Sequence, residues 1–238
     1  MKGKNIAIIP ARGGSKRIPR KNIKLFFGKP ILAYSIKAAQ QSKCFVEVMV
    51  STDDPKIAAV GKKLGAKVPF LRSAKSASDM ASLEDVVLEV LKEYAKIGKL
   101  FDNVCCILPT APFIRPADIK KALSLLNREK EIVSVFTVTK FNYPIQRAFK
   151  IKDGWLKMQW PENINRRSQD LEPMYHDAGQ FYCLKTEKFL KEKRLFSKMS
   201  KSLILPGTRV QDIDDLEDWQ NAAIKFKILV NKEKGLCE

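Results

Sequence analysis

A chain of 238 residues, 45% of them hydrophobic, has the length and composition of a globular protein with one sizeable core. No apolar run approaches the roughly 18 residues of a membrane span, and the chain enters a strand almost at once, so we expect a cytoplasmic protein without membrane contact. The formal net charge of +18 raises the question of a nucleic-acid partner, but the basic residues are scattered rather than gathered in one stripe with aromatic residues, which fits an anionic small substrate equally well.

Residues 6–22, reading IAIIPARGGSKRIPRKN, join a strand to a basic loop. The apolar run 6–9 has the length and β-branched content of a buried strand. Gly13 and Gly14 lack a Cβ, so their amides can approach an anion closely, and Ser15 adds a further donor. Cations surround them: Arg12, Lys16, Arg17, Arg20 and Lys21. This order favours a phosphate site over a solvated surface loop, although it matches neither the P-loop nor the G-x-G-x-x-G pattern.

Strand and helix patterns alternate along residues 6–138. The predicted strands are 6–9, 45–50, 68–71, 104–108 and 132–138, and the predicted helices are 31–41, 55–64, 83–95 and 119–126. Asp54 before Pro55 is a natural helix cap, and Ser82 with Asp85 resembles a capping box. The alternation predicts an α/β fold, a three-layer nucleotide-binding domain with a mostly parallel sheet covered on both faces.

Ligands of such sheets bind beyond the carboxyl ends of the strands. Four polar segments follow predicted strands, and we expect them on one rim: 12–15, 51–54, 72–79 and 109–113. Cys105 and Cys106 lie within a strand pattern and are expected as buried thiols. A structural zinc site is not expected, because the sequence has one histidine and no C-x-x-C pair.

The alternation breaks at residues 140–175, which are rich in Pro, Asn, Arg and Trp. A structureless loop of that length is unusual in a compact domain, so we interpret it as a protruding β-hairpin arm. Trp155, Met158 and Trp160 would give the arm an apolar surface for a partner subunit. Strand and helix patterns then resume at 179–184, 185–193, 202–205 and 216–229. We expect one domain over 1–238, with 140–175 as an inserted dimerisation and substrate arm.

A pair of carboxylates, Asp212 and Asp214, lies near the C-terminus. In an extended segment their two-residue spacing places both side chains on one face. Two hard oxygen ligands, completed by water and phosphate, suit Mg²⁺. Alternatively Asp214 or Asp215 caps the helix that begins at Leu216, and Asp215 is the better placed. We favour the metal because a separate anion-binding loop is present.

Other candidate residues belong to the arm and its end. Arg166, Arg167 and the cations within 140–147 suit a carboxylate, which arginine can bind with two parallel hydrogen bonds, or they are surface charge. His176, the one histidine, precedes Asp177 where the arm rejoins the sheet, and both a structural role and a substrate contact stay open. One histidine beside one aspartate is weak evidence for a catalytic triad.

Residues 8–22 resemble the signature loop of the acylneuraminate cytidylyltransferases, the CMP-sialic acid synthetases. The likeness continues through STDD at 51–54, FLR at 70–72, PTAP at 109–112 and QDID at 211–214, and so spans nearly the whole chain. YPIQR at 143–147, WPEN at 160–163, RSQD at 167–170 and YHDAGQFY at 175–182 are most similar to the pseudaminic acid branch. The resemblance implies an enzyme that makes CMP-pseudaminic acid from CTP for flagellin glycosylation.

The resemblance also implies residue roles. The phosphates of CTP would be held by Arg12, Gly13, Gly14, Ser15, Lys16 and Lys21, with Asn22 close to the nucleotide. Arg72 and Asp79 would lie by the cytosine and ribose, and Asp212 and Asp214 would bind Mg²⁺. The sugar acid would be surrounded by Gln146, Arg147, Arg167, Tyr175, His176, Asp177 and Gln180. The arm would exchange between the subunits of a homodimer.

One position departs from the family pattern. Sialic acid synthetases often have glutamine just before the Pro-Thr-x-Pro segment, where this chain has Leu108. A base or sugar contact made by that glutamine must therefore come from another residue.

The implied reaction is attack of the sugar's anomeric hydroxyl on the α-phosphate of CTP, with pyrophosphate leaving. Positioning and charge neutralisation dominate such transfers, which assigns catalysis to Arg12, Lys21 and Asp212. No strong protein base is evident, so a metal-activated water or hydroxide, or Asp212 through water, would take the proton. Three alternatives stay open: the same reaction on N-acetylneuraminic, legionaminic or deoxyoctulosonic acid, a basic nucleic-acid-binding protein, and a non-catalytic nucleotide sensor.

Overall fold

A computed structural model describes residues 3–233, and the side chains of residues 3–231. Its ten strands are β1 (Asn5–Pro10), β2 (Leu25–Phe26), β3 (Lys29–Pro30), β4 (Glu47–Ser51), β5 (Asn103–Ile107), β6 (Ser134–Lys140), β7 (Phe149–Lys152), β8 (Trp155–Met158), β9 (Tyr175–Lys185) and β10 (Ser200–Ile204). The α-helices are α1 (Leu32–Ser42), α2 (Pro55–Lys63), α3 (Ala74–Ala77), α4 (Leu83–Lys96), α5 (Pro116–Arg128), α6 (Thr186–Glu192) and α7 (Leu216–Glu233).

A six-stranded sheet runs through the middle of this described region, in the order β10-β6-β9-β5-β1-β4. Its pairs are parallel except those of β9, which runs antiparallel to both β5 and β6. Successive side chains of a strand point to opposite faces. Ala7 and Ile9 accordingly pack with α1, α2 and α5, whereas Ile6 and Ile8 pack with α4 and α6. The predicted three-layer α/β architecture with a mostly parallel sheet is confirmed.

The predicted helix starts at Asp54 and Ser82 are confirmed. Asp54 Oδ1 accepts from the amides of Lys56 and Ile57 at 2.7 and 3.1 Å. Ser82 and Asp85 exchange side-chain and backbone hydrogen bonds in a capping box. Both caps lie at the carboxyl edge of the sheet, because each helix starts where the chain has left that edge. They fix the polar segments that we expected there.

The predicted strand at 68–71 is wrong. Lys67 makes a single bridge to Met49, and Pro69 follows without an N–H to extend the ladder. The chain returns to the sheet edge at Arg72, whose amide donates to Thr52 O at 2.8 Å. This segment therefore runs beside β4 as an irregular connection that ends at a site residue.

Strand β9 contains a wide irregularity. Tyr182 pairs with Phe136 and Asp177 pairs with Val138, so residues 178–181 lie opposite Thr137 alone. Gly179 has φ +59°, a left-handed conformation that favours glycine. The Tyr182 hydroxyl donates to Asp177 across the base of the bulge. The bulge displaces Gly179 from the sheet toward the cleft described below.

The predicted hairpin within residues 140–175 is present as β7 and β8, which pair antiparallel. Asp153 and Gly154 form its turn with φ +52° and +80°, the backbone geometry of a tight two-residue hairpin. Ile151 and Trp155 on this arm are 75% and 80% exposed. The hairpin thus presents large apolar side chains to its surroundings.

A third apolar cluster packs α7 over the end of the basic loop. Phe26 lies at its centre, with ring centroids 5.4 Å from Trp219 and 5.3 Å from Phe226. Ile18 of the loop and Ile213, between the paired aspartates, are buried in the same cluster. This packing brings the N-terminal loop and the C-terminal carboxylates together. None of the helices in residues 3–233 has the length and apolar character needed to cross a membrane.

Candidate active site

A cleft of about 700 Å³ opens at the carboxyl ends of β1 and β5. Its walls come from the basic loop, from the segment between Arg72 and Val86, and from Leu108 to Thr110, and Asp212 and Asp214 lie on its rim. Residues 51–54 lie behind the loop, where Ser51 and Asp53 accept hydrogen bonds from Arg72 and Gly13. The four polar segments expected on one rim are therefore adjacent.

A larger groove of about 1510 Å³ lies at the opposite, amino-terminal edge of the sheet. Several lysines line it, and two of them make contacts that serve the fold. Lys185 donates to the last carbonyls beyond α5 at 2.6 and 3.0 Å, and Lys99 pairs with Glu47 at 2.8 Å. Cations at helix carboxyl ends are stabilised by the helix dipole. The smaller cleft is the candidate active site, because it lies where parallel sheets bind ligands and because cations face carboxylates there.

The two glycines of the loop differ in their surroundings. The amide of Gly13 donates to Asp53 Oδ1 at 3.0 Å, and a Cβ at Gly13 would lie 2.9 Å from Asp54 Cβ. A Cβ at Gly14 would meet no described atom within 4 Å. The Ser15 amide donates to Gly13 O at 3.0 Å. Two of the three amides expected to form an anion nest are thus engaged within the loop, and Gly14 faces open space.

Arg12 and Lys16 both pair with Asp79. Arg12 Nη1 lies 2.7 Å from Asp79 Oδ1, and Lys16 Nζ lies 2.5 Å from Oδ2. The hydrogen bond and charge of Lys16, with those of Arg12, lower the pKa of the Asp79 carboxyl. Asp79 therefore acts as the counter-ion of two cations that we predicted for phosphate.

Asn22 and Arg72 are buried residues of the cleft wall. Asn22 Nδ2 donates to the carbonyl of Arg12 at 2.9 Å. Arg72 donates to the carbonyl and hydroxyl of Ser51 at 2.6 and 3.2 Å. Burial lowers the pKa of Arg72, but a guanidinium stays charged at neutral pH. The structure thus places both residues as braces of the loop and of β4.

The aspartates of residues 212–218 have different partners. Asp215 Oδ1 accepts from the Asp218 amide at 3.0 Å, and Asp218 Oδ2 accepts from the Asp214 amide at 2.9 Å. Asp215 is therefore the helix cap, as its position suggested. Asp214 pairs with Arg17 at 3.0 Å and with Lys21 at 3.5 Å, and Asp212 makes no ion pair among the described residues.

Asp212 has the electrostatics of a cation ligand. The residue is exposed at the open cleft, but the protein atoms on its other side partly desolvate the carboxyl, and this raises its pKa. The Asp214 carboxylate raises it further, so the two groups oppose each other's charge. A hard divalent cation would relieve that repulsion. Residues 3–233 bring no third His, Cys, Asp or Glu to such a site, so further ligands would be phosphate and water.

The seven residues predicted for the sugar do not line this cleft. Three lie in the arm: Gln146 donates to Glu172 O at 2.8 Å, Arg147 to Ser168 Oγ at 3.3 Å, and Arg167 pairs with Asp170 at 2.8 Å.

The other four, Tyr175, His176, Asp177 and Gln180, lie on β9. The His176 ring lies 4.7 Å from Phe141. Gln180 is 2% exposed. The set follows a line from the arm toward Gly179, where an added Cβ would lie 3.8 Å from the Asp212 carboxyl.

Sequence reasoning missed several neighbours of the site. Arg17 pairs with Asp214, Asp53 holds the Gly13 amide, and Tyr182 holds Asp177. The cation cluster in the sequence includes Arg17. The cluster predicts a group of cations at the site, but it does not predict which of them pairs with the carboxylates. The other two contacts depend on the β9 bulge and on the turn after β4, which the sequence pattern does not reveal.

The fold and the cleft define an α/β protein of the nucleotide-binding type in which a basic loop faces a carboxylate pair. The family model described as cytidylyltransferase matches residues 6–224. The chain therefore belongs to the cytidylyltransferase family, which confirms the resemblance seen in the sequence.

Two curated relatives align with this chain over nearly their full length. A Campylobacter jejuni protein named pseudaminic acid cytidylyltransferase is 42% identical over 228 residues, covering 94% of this chain and 97% of the relative. A Legionella pneumophila protein named CMP-N,N'-diacetyllegionaminic acid synthase is 34% identical over 247 residues, covering 97% and 98%. A solved CMP:2-keto-3-deoxy-manno-octonic acid synthetase complexed with CTP has a TM-score of 0.70 at 18% identity, covering 97% and 99% of the two chains. That structure shows the shared fold.

Proposed function

We propose that this chain transfers CMP from CTP to pseudaminic acid and releases pyrophosphate. One observation carries the proposal: Lys21 joins the two charged regions of the cleft. Its Nζ donates to the carbonyl of Ile213 and lies 3.5 Å from Asp214. Phosphate-binding cations and cation-binding carboxylates are thus near enough to hold one triphosphate. The relative named for pseudaminic acid, at 42% identity, favours that sugar over legionaminic acid.

Each group of residues has a part in the proposed reaction. Arg12 and Lys16 would exchange Asp79 for the phosphates of CTP, and Lys21 would stabilise charge that develops on the α-phosphate. Gly13, Gly14 and Ser15 would keep the loop close to the phosphates, while Asn22 braces the loop and Arg72 braces the end of β4. Mg²⁺, held by Asp212 and Asp214, would neutralise phosphate charge.

The acceptor sugar would enter from the β9 side. Asp177, His176 and Tyr175 lie along the strand that leads to Asp212, and the arm residues Gln146, Arg147 and Arg167 extend this line outward. The anomeric hydroxyl would then approach the α-phosphate beside Asp212, which through water could take the proton. We place the enzyme in the cytoplasm as a homodimer joined by its arms, supplying CMP-pseudaminic acid for flagellin glycosylation.

The test is a pyrophosphate-release assay with CTP, MgCl₂ and a panel of nonulosonic acids. We expect pseudaminic acid to give the highest kcat/KM, with legionaminic, N-acetylneuraminic and deoxyoctulosonic acids at least about tenfold lower. A higher value for another sugar would contradict the substrate assignment. CTP binding without pyrophosphate release would indicate a sensor, and salt-dependent DNA binding without CTP binding would indicate a nucleic-acid protein.

A further inference from the structure

A buried glutamine joins the segment before Asp212 to the end of β5. Gln180 lies in the β9 bulge with 2% of its surface exposed. Its side-chain Nε2 donates to the backbone carbonyl of Arg209 at 2.6 Å, and its backbone carbonyl accepts from the Leu108 amide at 2.8 Å. This one residue therefore sets the separation between the cleft wall at Leu108 and the chain that reaches Asp212 three residues after Arg209.

Two further contacts hold the same segment from other sides. Arg209 Nη1 donates to Asp118 Oδ2 at 2.5 Å in the first turn of α5, and both side chains are largely buried. Lys225 on α7 donates to the carbonyl of Val210 at 2.7 Å. Residues 207–215 have one 3₁₀ turn, Gly207–Arg209, and no strand ladder among the described residues. Side-chain contacts to backbone carbonyls therefore define the path of this segment.

Gln180 has no access to the cleft in this arrangement. Leu108 and Asp212 line the cleft, and Gln180 does not. Its Nε2 is engaged with Arg209, and its Oε1 is buried without a hydrogen-bond partner in residues 3–233. A glutamine so enclosed would have to leave its site to touch a sugar.

We propose that Gln180 is a positioning residue that orients Asp212 for the divalent cation, instead of a contact to the acceptor sugar. The inference rests on the proposed function, because it takes Asp212 as a metal ligand. Groups that orient metal ligands typically change metal affinity or activity by about 10- to 100-fold when they are removed. A sugar contact would change the KM of the sugar instead.

The decisive variant is Gln180→Met, which keeps the side-chain length and removes the donor. We expect the Mg²⁺ concentration for half-maximal pyrophosphate release to rise about 10- to 100-fold. Mn²⁺ binding to the enzyme–CTP complex, followed by electron paramagnetic resonance, should weaken in parallel, and the KM of the sugar should stay within about twofold of wild type. Gln180→Glu keeps the shape, and when its carboxyl is ionised at alkaline pH it places an oxygen without a hydrogen against the Arg209 carbonyl, so there it should act in the same direction.

Gln146→Met is the matched control. Gln146 also donates to a backbone carbonyl, that of Glu172 at 2.8 Å, and its Oε1 is also buried without a partner among the described residues. Because it lies in the arm, its loss should raise the KM of the sugar and leave Mn²⁺ binding unchanged. Thermal unfolding of all variants shows whether each still folds.

Two results would overturn the inference: a raised sugar KM with normal Mn²⁺ binding in Gln180→Met and Gln180→Glu, or wild-type behaviour of both. Asp212→Ala separates this inference from the proposed function. If Asp212→Ala binds Mn²⁺ and turns over normally, the metal assignment itself is wrong whatever Gln180 does. If Asp212→Ala is inactive and both Gln180 variants are normal, the proposed function stands and the positioning role does not.

Discussion

Two aspartates three residues apart perform different tasks, and the structure separates them. Asp215 caps α7, whereas the Asp212 carboxyl faces the cleft with a raised pKa. We expect Asp212→Ala to lower kcat by at least about 100-fold. Asp215→Ala should keep turnover near wild type and lose about 1 kcal/mol of unfolding free energy with its cap. Steady-state kinetics and urea unfolding of both variants check this. Equal losses of activity would contradict the division.

The raised pKa of Asp212 also predicts the pH dependence of stability. At a pH between the pKa of Asp212 in the unfolded chain and its higher pKa in the folded protein, the folded protein binds more protons than the unfolded chain. The free energy of unfolding therefore falls as the pH rises between these two pKa values. Asp212→Ala should therefore unfold at a higher temperature than wild type at neutral pH. The difference should vanish below the ordinary carboxyl range. A lower unfolding temperature at neutral pH would show that Asp212 supports the fold instead.

At the scale of elements, the β9 bulge brings the sheet to the carboxylates. Gly179 and Gly154 are both left-handed, with φ +59° and +80°, but their surroundings differ. At Gly179, an added Cβ would lie 3.8 Å from the Asp212 carboxyl and 3.9 Å from Leu108 Cδ1. At Gly154, an added Cβ would have no described atom within 4 Å. Alanine at either position should cost about 1–2 kcal/mol of stability.

Activity should distinguish these two glycine variants. Gly179→Ala should lower kcat/KM about tenfold or more, because its methyl group narrows the space beside Asp212 where the acceptor would pass. Gly154→Ala should leave kcat/KM within about twofold of wild type. Chemical denaturation and kinetics measure the two effects separately. If Gly179→Ala had wild-type kinetics, the β9 bulge would not contribute to the active site.

Local signals in the sequence were sufficient for most elements. Asp54 with Pro55 and Ser82 with Asp85 mark helix starts because their hydrogen bonds lie within a few residues. The strand predicted at 68–71 failed for a local reason: Pro69 lies inside the apolar run and has no N–H to continue the ladder, so the run should not have counted as a strand. The β9 bulge and the pairing of Arg17 with Asp214 depend on contacts distant along the chain, and periodicity contains no information on these.

For the whole molecule, the loop and the carboxylates meet because α7 packs on residues that flank both. Ile18 and Ile213 are buried in the same cluster around Phe26. The sequence placed the Arg12 loop and the Asp212 pair in one site through resemblance, since about 200 residues separate them. The third apolar cluster supplies the physical reason. The arm, in contrast, exposes its apolar residues, and nothing within residues 3–233 covers them.

That exposure predicts a homodimer whose arms bury each other's apolar side chains. Ile151→Ser with Trp155→Ser removes two of these contacts, at residues 75% and 80% exposed. Because both side chains are largely exposed in the part of the chain that the structure describes, we expect the variant to be a folded monomer of 27.0 kDa where the wild type gives twice that mass. Light scattering after size-exclusion chromatography measures this mass.

The matched control changes equally exposed apolar residues elsewhere. Ile97→Ser with Leu100→Ser, at positions 59% and 74% exposed after α4, should leave the dimer intact. If the arm also completes the sugar site of the partner, only the arm variant will show a raised KM for the sugar with an unchanged KM for CTP. Two results would contradict the dimer: a monomeric wild-type protein, or an arm variant that stays dimeric. In either case the apolar face of the arm would have no role in assembly, and substrate binding would be the arm's only proposed role.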